Sequence, residues 1–135
     1  MSAEENKGIV RRVIDEIVNK GNLSLVDEVL ASDYVYHFPT HDINGPEGFK
    51  EFVMSMRRAF PDLHVTIEDL IAEGDNVAAR VIMQGTFKGE LNGIAPTGRK
   101  LAFREAVFVR FENGMEVEAT AYGNMASFNE QLGLS

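Results

Sequence analysis

The stretch Val107-Phe108-Val109-Arg110-Phe111-Glu112-Asn113-Gly114-Met115-Glu116-Val117-Glu118-Ala119-Thr120-Ala121-Tyr122 decides the fold of this chain. Asn-Gly flanked by alternating apolar residues is the strongest short-range hairpin signal, because a type I′ turn needs φ > 0 at both central positions. With Asn113 and Gly114 as the loop, Glu112 pairs with Met115; counting back sets Glu105 opposite Tyr122 and Phe103 opposite Asn124. Side chains directly opposite lie on the same side of a sheet. One face is then expected to carry Phe103, Glu105, Val107, Val109 and Phe111 beside Glu116, Glu118, Thr120, Tyr122 and Asn124. A carboxylate, a phenol and a carboxamide in apolar surroundings describe a pocket better than a plain core.

The period of two extends upstream of the hairpin. Leu63, Val65 and Ile67 alternate with polar residues before Gly74-Asp75 turns the chain, and residues 77–87 return. A Gly/Pro loop over 88–98 leads to a strand over 100–111; the final strand covers 115–125, and 127–132 form a short helix closed by Gly133. Asp69 and Arg80 face each other across the Gly74-Asp75 turn and read first as a cross-strand ion pair. The first half has the helical period instead. Ile9, Val10, Val13, Ile14, Ile17 and Val18 share one face of a helix over 4–19, which Gly21 ends. A short second helix starts at Ser24, a good N-cap; residues 34–38 are extended, and 40–45 form a loop. Pro46 opens a third helix with Phe49, Phe52, Val53, Met56 and Phe60 on one stripe. Helices first and long strands afterwards make an α+β domain over 1–135, three N-terminal helices packed on a strongly curved antiparallel sheet.

Composition narrows the partners. A formal net charge of -8 argues against nucleic acid and anionic membranes, both of which are bound through basic patches. Without cysteine there is no disulfide framework, thiol nucleophile or Cys-based metal site. No apolar run approaches the roughly 18 residues of a membrane span, and the polar, acidic N-terminus is unlike a signal peptide. The expected setting is the cytoplasm.

Several stretches together resemble a known family. They are the segment from Lys20-Gly-Asn to Tyr34-Val-Tyr-His37, Gly45-Pro-Glu-Gly-Phe-Lys-Glu-Phe52, Ala59-Phe-Pro-Asp-Leu63, Glu73-Gly-Asp75, Gly93-Ile-Ala-Pro-Thr-Gly-Arg99 and Val109-Arg-Phe-Glu-Asn-Gly114. They resemble SnoaL-like polyketide cyclase domains, and the element order is similar to the cone-shaped nuclear transport factor 2-like fold. The resemblance implies an enzyme of cyclase or isomerase type that uses neither metal nor organic cofactor. It places the family's acid/base aspartate at Asn124 and its tryptophan at Thr120. A carboxamide can hold a carbonyl or hydroxyl but cannot exchange a proton near neutral pH, so the cyclase reaction does not carry over whole.

Glu105 is the best replacement base, since an unpaired carboxylate on an apolar face has its pKa raised by desolvation. The alternative is a structural carboxylate paired with Arg80, Arg104 or Tyr122. His37, beside Phe38-Pro39, sits where the family's pocket opens and can assist proton transfer; a satisfied polar core histidine is its other reading. Tyr122 and Asn124 would hydrogen-bond a carbonyl or developing enolate oxygen, with Thr120, Phe103, Val107, Phe52 and Met56 as the ligand-binding wall. His37, His41 and Asp42 lack a third ligand at convincing spacing, so no metal is expected. Ala102, Ala106, Phe108, Ala119 and Ala121 on the opposite face suggest a homodimer. Two functions follow: cofactor-free acid/base chemistry on a small apolar carbonyl compound, or a non-catalytic hydrophobic-ligand-binding or dimeric interaction domain. Epoxide hydrolysis ranks below both, because it needs paired acids around a water.

Overall fold

Ser2 opens the first helix. In the computed structural model, which describes residues 2–134, its hydroxyl accepts from the Glu5 N–H while the Glu5 side chain accepts from the Ser2 N–H, a complete capping box. Helix α1 (Ala3–Arg12) continues as a π-helical segment over Val13–Val18, so the expected single helix changes pitch midway. Asn19 fastens its end to the sheet: its Nδ2 donates to the Val65 carbonyl (2.9 Å) and its Oδ1 accepts from the Val65 N–H (2.7 Å). Gly21, at φ +73°, supplies the left-handed residue that stops the helix. A 3₁₀ turn over Leu23–Leu25 leads into α2 (Val26–Val29); the expected cap, Ser24, lies inside that turn and donates its hydroxyl to the Asn22 Oδ1 instead.

Strand β1 (Leu30–Phe38) is longer than the sequence suggests. The segment read as a loop holds β2 (His41–Asn44), which pairs antiparallel with β1. Helix α3 (Gly45–Ala59) buries Phe49, Val53 and Met56, and Pro46 lies in its first turn. Strands β3 (His64–Glu73), β4 (Asn76–Thr86), β5 (Lys100–Glu112) and β6 (Met115–Gly123) complete the sheet, and α4 (Met125–Leu132) follows. Asp69 and Arg80 are register partners and form an ion pair. Among the described residues no helix is long and apolar enough to cross a membrane.

The strand order is β2-β1-β6-β5-β4-β3. The expectation of an antiparallel sheet holds at every junction except β1–β6, which is parallel. A parallel neighbour needs a long connection, here supplied by everything from β2 to β5. The loop over 88–98 is pinned to the end of α3. Lys88 and Gly89 donate their N–H groups to the Ala59 carbonyl (2.9 and 3.0 Å), and a Cβ on Gly89 would lie 2.1 Å from the Arg58 carbonyl oxygen.

The decisive hairpin turns where the sequence puts it. Asn113 (φ +51°) and Gly114 (φ +77°) form the loop, Glu112 pairs with Met115, and Phe111 pairs with Glu116. The next pair is Arg110 with Glu118, which leaves Val117 as an extra residue in β6. A β-bulge of this kind shifts the register by one and turns every later side chain to the other face. Glu105 therefore pairs with Gly123, not Tyr122, and the buried positions of β6 are Glu116, Ala119 and Ala121. Ala119 and Ala121 thus leave the outer face on which a dimer contact was expected. Tyr122 joins Phe108 there instead, the two rings meeting edge to face at 5.9 Å.

Deleting Val117 removes the bulge but leaves Arg110 opposite Glu118 and every later pair unchanged, so Ala119 and Ala121 stay in the core. The deletion is expected to keep cooperative urea unfolding and the exposure of Tyr122, and Val117→Ala should lose less than about 1 kcal/mol. Burial of Tyr122 in the deletion variant, read from its fluorescence quenching, would show that the register is not set by these pairs.

Candidate active site

The concave side of the sheet and the helices enclose a cavity of about 110 Å³. Its wall is almost wholly apolar. Val10, Val13, Ile14 and Val18 come from the first helix, and Phe49, Phe52, Val53 and Met56 from α3. Strands add Val81, Met83, Val107 and Val109. The π-helical pitch over 13–18 brings Val13, Ile14 and Val18 to this wall together.

Four polar side chains break the apolar lining: Glu105 from β5, Glu116 from β6, and Tyr34 and Tyr36 from β1. Glu105 and Glu116 are buried, and neither has an arginine, lysine or histidine within ion-pair distance among the described residues. The Glu105 Oε2 atom has no hydrogen-bond partner at all. Burial disfavours the charged form of each acid, raising Glu105 from 4.5 to about 7 and Glu116 from 4.5 to about 8. Both tyrosines are held well above the usual phenol range, by burial first. The charge of Glu116 adds to this at Tyr34, and that of Glu105 at Tyr36. Near neutral pH the cavity therefore offers one carboxyl group poised between its two forms, one mostly protonated carboxyl group and two neutral phenols. Such a set can take a proton, return it and donate hydrogen bonds to an oxygen.

Of the residues singled out in the sequence, Glu105, Val107, Phe52 and Met56 line the cavity. Phe103 is buried deeper, edge to face with Phe128 at 5.2 Å, and its ring would lie 2.5 Å from any Cβ at position 123. The others lie elsewhere. Thr120 and Tyr122 are turned outward by the bulge at Val117, with Tyr122 61% exposed. Asn124 lies beyond the end of β6, where its Oδ1 caps α4 by accepting from the Ser127 N–H at 3.1 Å.

His37 also faces away from the cavity, because in β1 it is Tyr34, Tyr36 and Phe38 that point inward. Its Nδ1 meets Asp42 at 2.7 Å and its Nε2 meets Glu118 at 2.8 Å. Those hydrogen bonds, Asp42 first and Glu118 second, raise its pKa above 6.5. Arg110 extends the chain of charges to Glu118 and Glu112. Hence His37 is a clamp between β2, β1 and β6 on the outer surface. Among the described residues no three or more His, Asp and Glu form a group suited to a metal ion.

The sequence reading sets Glu116 on the pocket face without giving it a role, and passes over Tyr34 and Tyr36. Glu116 was legible, since it faces Phe111 across the turn before the bulge intervenes. The alternation Tyr34-Val35-Tyr36-His37-Phe38 was a signal too: in a strand it must present either the rings or the histidine to the core, and the rings bury more apolar area.

Comparison with known proteins agrees with the fold. The family model for the SnoaL-like polyketide cyclase matches residues 8–132. TsrD from Streptomyces laurentii superposes with a TM-score of 0.89 at 22% identity, over 100% of this chain and 99% of that one. IdmH from Streptomyces antibioticus, provisionally described as a polyketide cyclase, gives 0.81 at 26% identity, over 95% and 98%. AclR from Streptomyces galilaeus, provisionally described as a hydroxylase, gives 0.83 at 26% identity, over 98% of each chain. Among curated proteins no match is found.

The two acids make stability depend on pH in a definite direction. The folded state prefers them neutral, so their contribution is complete below about 4.5 and is lost as pH rises through about 7 and 8. Glu116→Gln should match the native chain in urea denaturation at pH about 4 and exceed it by roughly 2–4 kcal/mol at pH about 9. Equal losses in both proteins would mean that Glu116 ionises freely.

Proposed function

The chain belongs to the SnoaL-like polyketide cyclase family, and from that premise we propose that it performs cofactor-free acid/base chemistry on a small apolar carbonyl compound. Glu105 is the proton carrier. The observation that supports this reading is its carboxyl group, buried on an apolar cavity, unpaired, and pushed up to about 7. A base is most effective when its pKa lies close to the working pH, because it is then both available and strong enough.

In the step we propose, the Glu105 carboxylate removes a proton from the carbon next to the substrate carbonyl. The electron pair moves into an enolate, and the developing charge on oxygen is met by the protonated Glu116 carboxyl and the Tyr36 phenol. These donors act in a dry site where little water competes with them. The enolate carbon then attacks a second carbonyl of the same molecule and the new alkoxide oxygen takes the proton from Glu105, as in a cyclase, or the enolate takes that proton back at another carbon, as in an isomerase. Either ending restores the carboxylate, so the cycle balances without an external oxidant or reductant. Asn124, in the family's aspartate position, is occupied as a helix cap and takes no part. The scaffold alone does not select between the two endings, since one fold of this kind hosts several reactions.

Deuterium exchange at the carbon next to a bound ketone, followed by NMR in D₂O, tests the proton transfer without knowledge of the natural substrate. Glu105→Gln should lower the exchange rate by about 10²–10⁴ while leaving ketone affinity within about two-fold. The native rate should rise with pH as Glu105 ionises near 7 and fall as Glu116 loses its proton near 8. Undiminished exchange in Glu105→Gln would remove Glu105 from the mechanism.

A further inference from the structure

Strand β6 ends opposite Glu105. The last pair of the hairpin is Glu105 with Gly123, whereas β5 begins at Lys100. Residues 100–104 therefore have no strand on that side, and α4 lies across the gap. Two hydrogen bonds hold it there: the Ala102 N–H donates to Gln131 Oε1 (2.8 Å), and the Thr97 hydroxyl donates to the Leu132 carbonyl (2.8 Å). Phe128 and Leu132 are buried beneath the helix.

On its other side α4 borders an open cleft of about 840 Å³, which lies among β2, α3, the loop over 88–98 and α4. His41, Asp42, Glu51 and Arg58 are among the side chains that line it, so it is a roomy and polar space that suits water. Phe128 lines this cleft, Glu105 lines the acid cavity, and Phe103 lines neither. The order from solvent to acid is thus cleft, Phe128, Phe103, Glu105. Phe38, Phe52 and Met56 separate the two spaces elsewhere. The rings of Phe103 and Phe128 meet edge to face at 5.2 Å, with their planes at 78°. A Cβ on Gly123 would lie 2.5 Å from the Phe103 ring and 3.3 Å from the Glu105 Cγ. Glycine at this position leaves the ring and the stem of the acid to share the space that a side chain would take.

Burial is the cause that raises Glu105 to about 7, so whatever keeps water from its carboxyl group keeps it poised near neutral pH. Its ionisable neighbours are few. Tyr36 of β1 and Glu116 of β6 share its cavity, where α1 and α3 present apolar side chains. Arg80 of β4 and Arg104 of β5 pair with Asp69 and Glu68 of β3. Glu130 of α4 is exposed.

We propose that α4 is a shield for the base: Phe128, acting through Phe103 and the space left by Gly123, closes the hydrated cleft off from the Glu105 carboxyl group. Phe103 and Phe128 are positioning residues and touch no substrate. The inference rests on the acid/base reading only for calling Glu105 a base; the shielding itself does not.

The test is a pH titration of the glutamate side-chain carboxyl carbons by ¹³C NMR, with the Glu105 and Glu116 signals assigned by their loss in Glu105→Gln and Glu116→Gln. In Phe128→Ala the Glu105 midpoint should fall from about 7 to below about 6, a ten-fold or larger change in its acid constant, while Glu116 stays near 8. Phe128→Val serves in the same way if the alanine variant does not fold. Phe128→Leu, which keeps most of the volume, should restore the native midpoint. Met54→Ala, at an exposed residue of the cleft outside this wall, should leave both midpoints unchanged. An unmoved Glu105 midpoint in the folded alanine or valine variant would overturn the proposal. So would equal falls at Glu105 and Glu116, which mark a general loosening of the core. Deuterium exchange of acetone in D₂O separates the two readings: its pH midpoint should follow that of Glu105 in each variant. A Glu105 midpoint that falls as expected, in a native chain that exchanges no deuterium, would refute the acid/base reading alone and leave the shield standing.

Discussion

One extra residue, Val117 in β6, is the constraint on which the rest of the site depends. The Asn113-Gly114 turn fixes the first pairs of the hairpin rigidly, because both residues sit at positive φ. The bulge then reverses the facing of β6 while β5 continues undisturbed. Before it, Glu116 faces inward beside Phe111; after it, Ala119 and Ala121 do. Small side chains there make room for Tyr36, which lies next to Ala119 across the parallel β1–β6 junction. The same reversal sends Glu118 outward, where it meets His37 and Arg110. A single unpaired backbone residue thus separates a dry chamber with two acids from a charged outer surface.

The chamber is expensive to maintain. Two carboxyl groups and two phenols are buried there, and the Glu105 Oε2 atom has no hydrogen-bond partner, which is usually destabilising for a buried polar group. The surrounding architecture offsets this cost. Aromatic rings from β1 and α3 pack edge to face around the acids, with Tyr34–Phe49 at 5.8 Å and Tyr36–Phe52 at 5.6 Å. Asn19 locks the first helix to β3, and the loop over 88–98 caps α3 through the Ala59 carbonyl. Gly123 leaves the space that the Phe103 ring fills beneath Glu105. Strain of this kind is expected where polar groups are kept ready for a ligand rather than for one another.

The acid/base reading places opposite demands on Phe38, Phe52 and Met56, which line both the acid cavity and the cleft among β2, α3 and α4. Proton transfer at Glu105 needs a dry chamber, since water would restore an ordinary carboxyl pKa. Ligand entry needs an opening. A methionine between two phenylalanines reconciles these demands, because its thioether can move without disturbing the aromatic packing.

The sequence by itself determined the α+β architecture, the helix stripes, the Asn113-Gly114 turn and the isolation of Glu105 on an apolar strand face. All of these are local: propensity, periodicity and turn chemistry act over a few residues, and the chain records them directly. It also carried the family resemblance. Only the tertiary structure decided which side chains join Glu105. Val117 has no composition that marks a bulge, so register counting from the turn placed Thr120 and Tyr122 inside and missed the pairing with Gly123. Nor could the sequence show that β1 runs parallel to β6, which sets Tyr34 and Tyr36 against the acids and leaves His37 to Asp42 and Glu118. Register after a bulge and pairing between distant strands are settled by packing of the whole core, where a one-residue shift exchanges the buried and exposed faces at once.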